Sequence, residues 1–166
     1  MSGHGGEVPV VRLCLVVTSD AVARGEKEDR VTPIIRELAP RCGMEIEHRV
    51  VVGNDYRGIR AAVMDCVRRG CDLVLVTGGT GPSGRDVSVD AVLSLGGRRL
   101  PGFGELFRLL SYEEIGARAW LSRAEALVVM DSLVVVIPGS PGSARLAMEK
   151  LLCPVARHAI YEIRRR

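Results

Sequence analysis

The residues best suited to do chemistry lie in one stretch, Cys71-Asp-Leu-Val-Leu-Val-Thr-Gly-Gly-Thr-Gly-Pro-Ser-Gly-Arg-Asp86. Leu73 to Val76 is an unbroken apolar run too short for a helix, and it reads as a strand buried on both faces. The run ends in Thr77-Gly78-Gly79-Thr80-Gly81, where closely spaced glycines bring bare backbone N–H groups together. Arg85-Asp86 then lead into a helical pattern from about Ser88. Strand, glycine turn and helix start together favour phosphate, through the N–H groups and the helix dipole. A second loop of this kind is Pro138-Gly139-Ser140-Pro141-Gly142-Ser143. Ser140 as N-cap and Pro141 at the first helical position leave the N–H groups of Gly142 and Ser143 exposed.

Carboxylates stand at three loop starts: Asp20, Asp55 and Asp86. Ser19-Asp20 follow the first strand, and position alone suits a ligand-facing acid and a loop cap equally. Asp55 reads as the N-cap of the helix behind it. Glycine loops with such acids describe a site for a phosphorylated ligand and a divalent metal, since magnesium takes one or two carboxylates and completes its shell from water and phosphate. His4, His48 and His158 are scattered, so acid–base or covalent catalysis by histidine is not indicated. Positioning and electrostatic stabilisation, the physics of phosphoryl and nucleotidyl transfer, fit this inventory.

Two better-known phosphate motifs fail. Gly79, Gly81 and Gly84 spell GxGxxG, but the acidic residue expected about 20 positions on falls in Pro101-Gly102-Phe103-Gly104-Glu105, a turn before a helix. Gly79 and Gly84 also have P-loop spacing, but Arg85-Asp86 stand where that loop needs Lys-Ser/Thr.

The elements that must hold these loops follow a βαβ rhythm. Val10 to Thr18 is an apolar, central strand. Arg24 to Arg30 is a charged surface loop, and Thr32-Pro33 start a helix with Thr32 as N-cap. Ile46 to Val52 is the second strand, and Ile59, Ala62, Val63, Cys66 and Val67 recur at helical spacing behind Asp55. Pro101-Gly102 break the chain before a helix carrying Glu105 to Leu110. Ser111-Tyr-Glu-Glu114 is a capping box that opens a further helix, with Trp120 as a core or subunit contact. Glu125 to Met130 and Leu133 to Ile137 form a hairpin across Asp131-Ser132, the one antiparallel feature. Helix closes the chain, interrupted at Pro154.

At 166 residues and 47% hydrophobic, the chain suits one soluble domain over 9–166 behind a flexible terminus, 1–8. No run is long enough to span a bilayer, and no signal pattern is present. A net charge of +3 and 4% aromatic residues argue against nucleic acid. Five cysteines without a CxxC pair indicate neither a zinc knuckle nor a disulfide framework, and Cys14, Cys66 and Cys71 read as free core thiols. A cytoplasmic location is expected.

Thr77-Gly-Gly-Thr-Gly81 followed by Arg85-Asp86-Val-Ser-Val-Asp-Ala91 resembles the TGGTG…RDVTPEA signature of the MogA/MoaB family of molybdenum-cofactor biosynthesis proteins. Val17-Thr-Ser-Asp20 with Glu28-Asp29-Arg30 resembles its first loop. Pro101 to Glu105, Ser122-Arg123-Ala124 and Pro138 to Pro141 match later motifs in order. The resemblance implies a three-layer αβα fold of α/β class, mostly parallel with one antiparallel hairpin, in trimers or hexamers. The implied activity joins Mg-ATP (Mg2+ as cofactor) and molybdopterin into adenylyl-molybdopterin with release of pyrophosphate, ahead of molybdate or tungstate insertion. The downstream metal-insertion enzyme is an implied partner.

By the family pattern Asp86 and Asp55 are the catalytic and metal-handling carboxylates. The binding residues are Ser19, Asp20, Thr77, Gly78, Gly79, Thr80, Gly81, Arg85, Glu105, Ser122, Arg123, Pro138, Gly139 and Ser140. The family has departures here: Asn54 stands for a proline, Val31-Thr32 for Ser-Gly, and Leu127 for a glycine, which adds bulk beside Ser122. Some members of the MoaB type are catalytically silent. A related group of CinA-type nucleotide hydrolases reads GGLGPT before a paired Asp-Asp, from which Thr80 and Arg85-Asp86 depart.

Overall fold

The structure is a computed structural model describing residues 6–166. Residues 1–5, His4 and most of the expected flexible terminus among them, lie outside the described residues. Gly6 and Val8 are hydrogen-bonded to the last helix, through His158 and Arg157.

Six strands, β1 (Val11–Thr18), β2 (Met44–Val52), β3 (Leu73–Thr77), β4 (Arg98–Arg99), β5 (Glu125–Val129) and β6 (Ser132–Ile137), form one sheet in the order β2-β1-β3-β6-β5-β4. β2, β1, β3 and β6 run parallel, whereas β5 is antiparallel to both β6 and β4. Every residue of β3 is buried, as its uniform apolar run requires of a strand between two neighbours with helices on both faces. β2, at the edge, alternates instead.

The helices are α1 (Asp20–Ala23), α2 (Thr32–Leu38), α3 (Tyr56–Arg68), α4 (Ser88–Leu93), α5 (Pro101–Ile115), α6 (Pro141–Leu146) and α7 (Ala156–Arg164). Because side chains alternate along a strand, Leu13, Leu15, Leu73, Leu75, Val135 and Ile137 pack against α2, α5, α6 and α7. Cys14, Val16, Val74, Val76, Val134 and Val136 pack against α3 and α4 on the other face. The fold is therefore the three-layer αβα arrangement. Each such Val or Leu contributes about 1.5–3 kcal/mol on burial. From β1 the chain crosses to β2 on one side and then to β3 on the other. Strand order thus reverses between β1 and β3, and the loops after β1, β3 and β6 meet at one end of the sheet, where open α/β sheets bind ligands.

Local signals misread several features, the cysteines described below among them. The cap of α2 is not Thr32, which lies inside the helix. Asp29 accepts from the N–H groups of Val31 and Thr32 at 2.9 and 3.1 Å and pairs with Arg49, so the charged loop is anchored at its end. Burial pushes the Asp29 carboxyl up, but these bonds more than offset it and hold it below its ordinary value. No helix opens at Ser111: α5 runs through it, because Ser111 follows Phe107 by one turn and is buried on the same face. Of the two roles expected for Trp120, its 74% exposure rules out the core and leaves the subunit contact. β4 adds a second antiparallel pairing from two residues too short and too charged to show a strand pattern.

Disulfides join Cys14 to Cys71 and Cys42 to Cys153, with Cα atoms 6.0 and 4.8 Å apart, and leave Cys66 free and buried. Their separations of 57 and 111 residues leave no mark in local spacing.

Candidate functional site

The glycine loop is shaped by close backbone approaches that exclude side chains. Gly78 has φ 95°, donates its N–H to Ile137 O at 2.8 Å, and would place a Cβ 2.3 Å from Thr18 O. Gly79, at φ 71°, would place one 2.3 Å from Ser88 Oγ. Only glycine fits these positions. A Cβ on Gly139 would meet Gly78 Cα at 3.2 Å, so the loops after β3 and β6 touch backbone to backbone.

Asp86 lies against this cradle. Its Oδ2 accepts from Ser83 N at 3.1 Å and would be 2.6 Å from a Cβ on Gly81. Oδ1 has no protein donor among the described residues. Asp86 borders a cleft of about 360 Å³ with Gly79, Thr80, Gly81, Ser122, Pro138, Gly139 and Ser140. Arg118 supplies a cation there that sequence reasoning missed, since nothing near it in the chain marks it. A second cleft, of about 350 Å³, lies across the Gly139-Ser140 wall and is bordered by Thr18, Ser19, Lys27, Arg30 and Thr77. The hydroxyls of Thr18, Thr77 and Ser88 are buried without a hydrogen-bond partner among the described residues. Buried hydroxyls are ordinarily paired, so these are open positions around the loop.

Asp20 braces the loops after β1, β2 and β3. Its carboxylate accepts from Asn54 N at 2.8 Å and Asn54 Nδ2 at 3.4 Å, and from Arg85 Nη2 at 3.0 Å. The Asn54 backbone bond, then the Arg85 bond, hold its carboxyl below the ordinary value. Arg85 is thereby engaged with protein, and Ser19 caps α1 by accepting from Val22 N at 3.2 Å.

Arg123 pins the glycine loop from the other side. Its side chain donates to Gly81 O at 3.2 Å and Asp86 O at 2.6 Å, and pairs with Asp90 at 3.0 Å. Its own N–H donates to Thr80 O at 2.8 Å. The Arg123 bond also lowers the Asp90 carboxyl. Asp55 caps α3, accepting from Gly58 N at 2.6 Å, and like Glu105 is exposed and borders neither cleft. The bulk expected beside Ser122 from Leu127 goes elsewhere: Leu127 is fully buried in the core under α3 and α4.

Among the described residues no three His, Cys, Asp or Glu side chains gather to hold a metal unaided. Magnesium does not ask for that. An open Asp86 oxygen beside a phosphate cradle fits an ion that draws its other ligands from phosphate and water. Among the described residues no helix is long and apolar enough to cross a membrane.

A mostly parallel sheet with a glycine loop and a carboxylate at its switch point defines an open α/β domain of the kind that places its ligand site there. A family model described as a probable molybdopterin binding domain matches residues 14–158, and the chain belongs to this family, the MogA/MoaB group of molybdenum-cofactor biosynthesis proteins. It is 40% identical over 154 residues to molybdenum cofactor biosynthesis protein B of Staphylococcus carnosus, spanning 90% of this chain and 89% of that one. The molybdopterin biosynthesis enzyme MoaB from Thermus thermophilus superposes with a TM-score of 0.84 at 33% identity, over 93% of this chain and 96% of that one. The tungsten cofactor synthesizing protein MoaB from Pyrococcus furiosus gives 0.88 at 29%, over 95% and 99%.

Proposed function

We propose that this protein is a molybdopterin adenylyltransferase, in which an oxygen of molybdopterin displaces pyrophosphate from the α-phosphorus of Mg-ATP. The observation that carries this reading is the meeting of two phosphate-suited loops beside a carboxylate with an open oxygen. The N–H groups of residues 79–81 and of the Gly139-Ser140 loop hold ligand phosphates, while that of Gly78 is spent on Ile137 O. Arg118, in the cleft that Asp86 borders, supplies positive charge where a P-loop would use its lysine. Asp86 is the residue that would hold magnesium, with Asp55 as the second carboxylate by family pattern. Bound magnesium would neutralise phosphate charge as the α-phosphorus is attacked. Asp20 and Arg123 keep the loops in place rather than touching the reacting atoms.

The assembly is a homotrimer or a hexamer in this reading. Leu106, Leu109, Tyr112 and Ile115 make an exposed apolar stripe along α5, continued by Trp120. Such a stripe marks a protein-contact surface. The protein would hand its product to the metal-insertion enzyme of the pathway.

The test is pyrophosphate release from Mg-ATP with and without molybdopterin. Release should require the pterin and fall on the order of 10²-fold or more in Asp86→Asn. ATP turnover that ignores the pterin would point to a nucleotide hydrolase. Binding of pterin or nucleotide without turnover would make the protein a catalytically silent member. That second reading draws on the name protein B carried by its similar relatives.

A further inference from the structure

The two disulfides sit in opposite surroundings. Cys14 and Cys71 are fully buried in the core under α3 and α4, sealed from thiols outside the folded protein. Cys42 and Cys153 are both half-buried and within reach of solvent. Thiol–disulfide exchange needs an approaching thiolate, so access makes the second bridge the exchangeable one.

The place of that bridge gives exchange a consequence. Cys42 ends the run 32–42, made of α2 and the tight turn after it. Cys153 follows the run 141–152, in which a π turn (Ala147–Leu152) continues α6. The N–H of Cys153 donates to Met148 O at 2.8 Å, so the bridge is anchored in that π turn, an element that recurs at functional sites. Residues 27–31, which lead into the first run, border the second cleft, as do Gly139, Ser140 and Pro141, which open the other. The bridge therefore clips the far ends of two helical runs whose near ends shape one cleft. Midway between, Glu37 and Arg145 pair at 3.5 Å, and Ile35, Leu38, Ala144 and Met148 share one apolar cluster. An exposed ion pair holds weakly and apolar packing is non-directional, so the covalent clip is what fixes the ends.

We propose that Cys42–Cys153 is a redox switch on the second cleft. In the oxidised form the bridge holds the two runs together and the cleft ready for an anionic ligand. In the reduced form the runs part at their far ends and the cleft loosens. The closing step is exchange with a low-molecular-weight disulfide: one protein thiolate attacks it, releasing one small thiolate and leaving a mixed disulfide, and the other protein thiolate then displaces the second. Two protein thiols are oxidised and the small disulfide is reduced to two thiols. The effect on a ligand rests on the reading of the loops as phosphate-binding, whereas the motion does not.

The experiment uses the full protein labelled at its lysine amide nitrogens, which gives one backbone signal each from Lys27 and Lys150, the only lysines. Lys150 lies in the π turn near Cys153 and reports the bridge, and Lys27 borders the cleft. Across a series of thiol–disulfide buffers both signals should move, with a common midpoint. Inorganic pyrophosphate, read at Lys27, should bind about fivefold or more tighter to the oxidised form, the scale of ordinary coupling between sites. In Cys42→Ser/Cys153→Ser both signals should stay at their reduced positions in every buffer. A Lys27 signal that ignores the buffer while Lys150 responds would overturn the proposal. So would a Lys27 response that survives in the double variant, which would belong to Cys14–Cys71, or equal pyrophosphate affinity in the two forms. Absence of pyrophosphate binding in both forms, with the two signals still moving together, would refute the phosphate reading of the loops and leave the switch standing.

Discussion

Asp20 joins three loops through one carboxylate, and its charge state is therefore a condition on the site. The Asn54 and Arg85 bonds depress its pKa, so the brace is present throughout the range above the ordinary carboxylate value and is lost only as pH falls through the depressed one. A carboxyl-carbon titration of Asp20 should show a midpoint below about 3.9, rising in Arg85→Ala. A midpoint at or above that value in the wild type would refute the brace. Arg123 acts on the same loop by another route. Arg123→Ala removes bonds to Gly81, Asp86 and Asp90, and should lower stability by about 2 kcal/mol and weaken ATP binding. Lysine should not rescue it, since one ammonium cannot reproduce a planar fork that reaches three partners. Thermal melts and nucleotide titration of both variants check this.

Elements were legible where their pattern was local and uniform. The buried run at β3, the glycine turn, the Ser140 cap and the Asp55 cap followed from types and spacing alone. What Asp20 and Arg123 hold was not legible, because their partners lie 34, 65 and 37 residues away and meet only when the sheet forms. α5 failed for the opposite reason. The local signal at Ser111-x-x-Glu114 was present, but Phe103 and Phe107, stacked 6.1 Å apart, carry the helix onward and bury Ser111 with them. That same helix turns Leu109 outward, 60% exposed. If the proposed assembly forms through this face, Leu109→Glu should yield a monomer on sedimentation while leaving the melting of the monomer fold intact. An unchanged sedimentation coefficient would remove α5 as the contact.

At the scale of the molecule, the Cys42–Cys153 bridge ties the segment after α2 to the end of the helical run after α6, across 111 residues. A closed loop of that length is worth about 5 kcal/mol in the chain-entropy account, so Cys42→Ser should lower the melting temperature by about 10–20 °C, and reduction, which also opens Cys14–Cys71, by more. Calorimetry with and without reductant, together with a count of free thiols in the unfolded protein, checks it. One free thiol, that of Cys66, is expected before reduction.

The two bridges also overlap along the chain, the second beginning inside the span of the first. Any single backbone cut between residues 14 and 153 is therefore straddled by at least one covalent link. A protease that clips an exposed loop leaves one molecule instead of two fragments, and the halves part only on reduction. The covalent integrity of this protein is a property of a graph with redundant paths, and no one peptide bond over most of its length is indispensable to it.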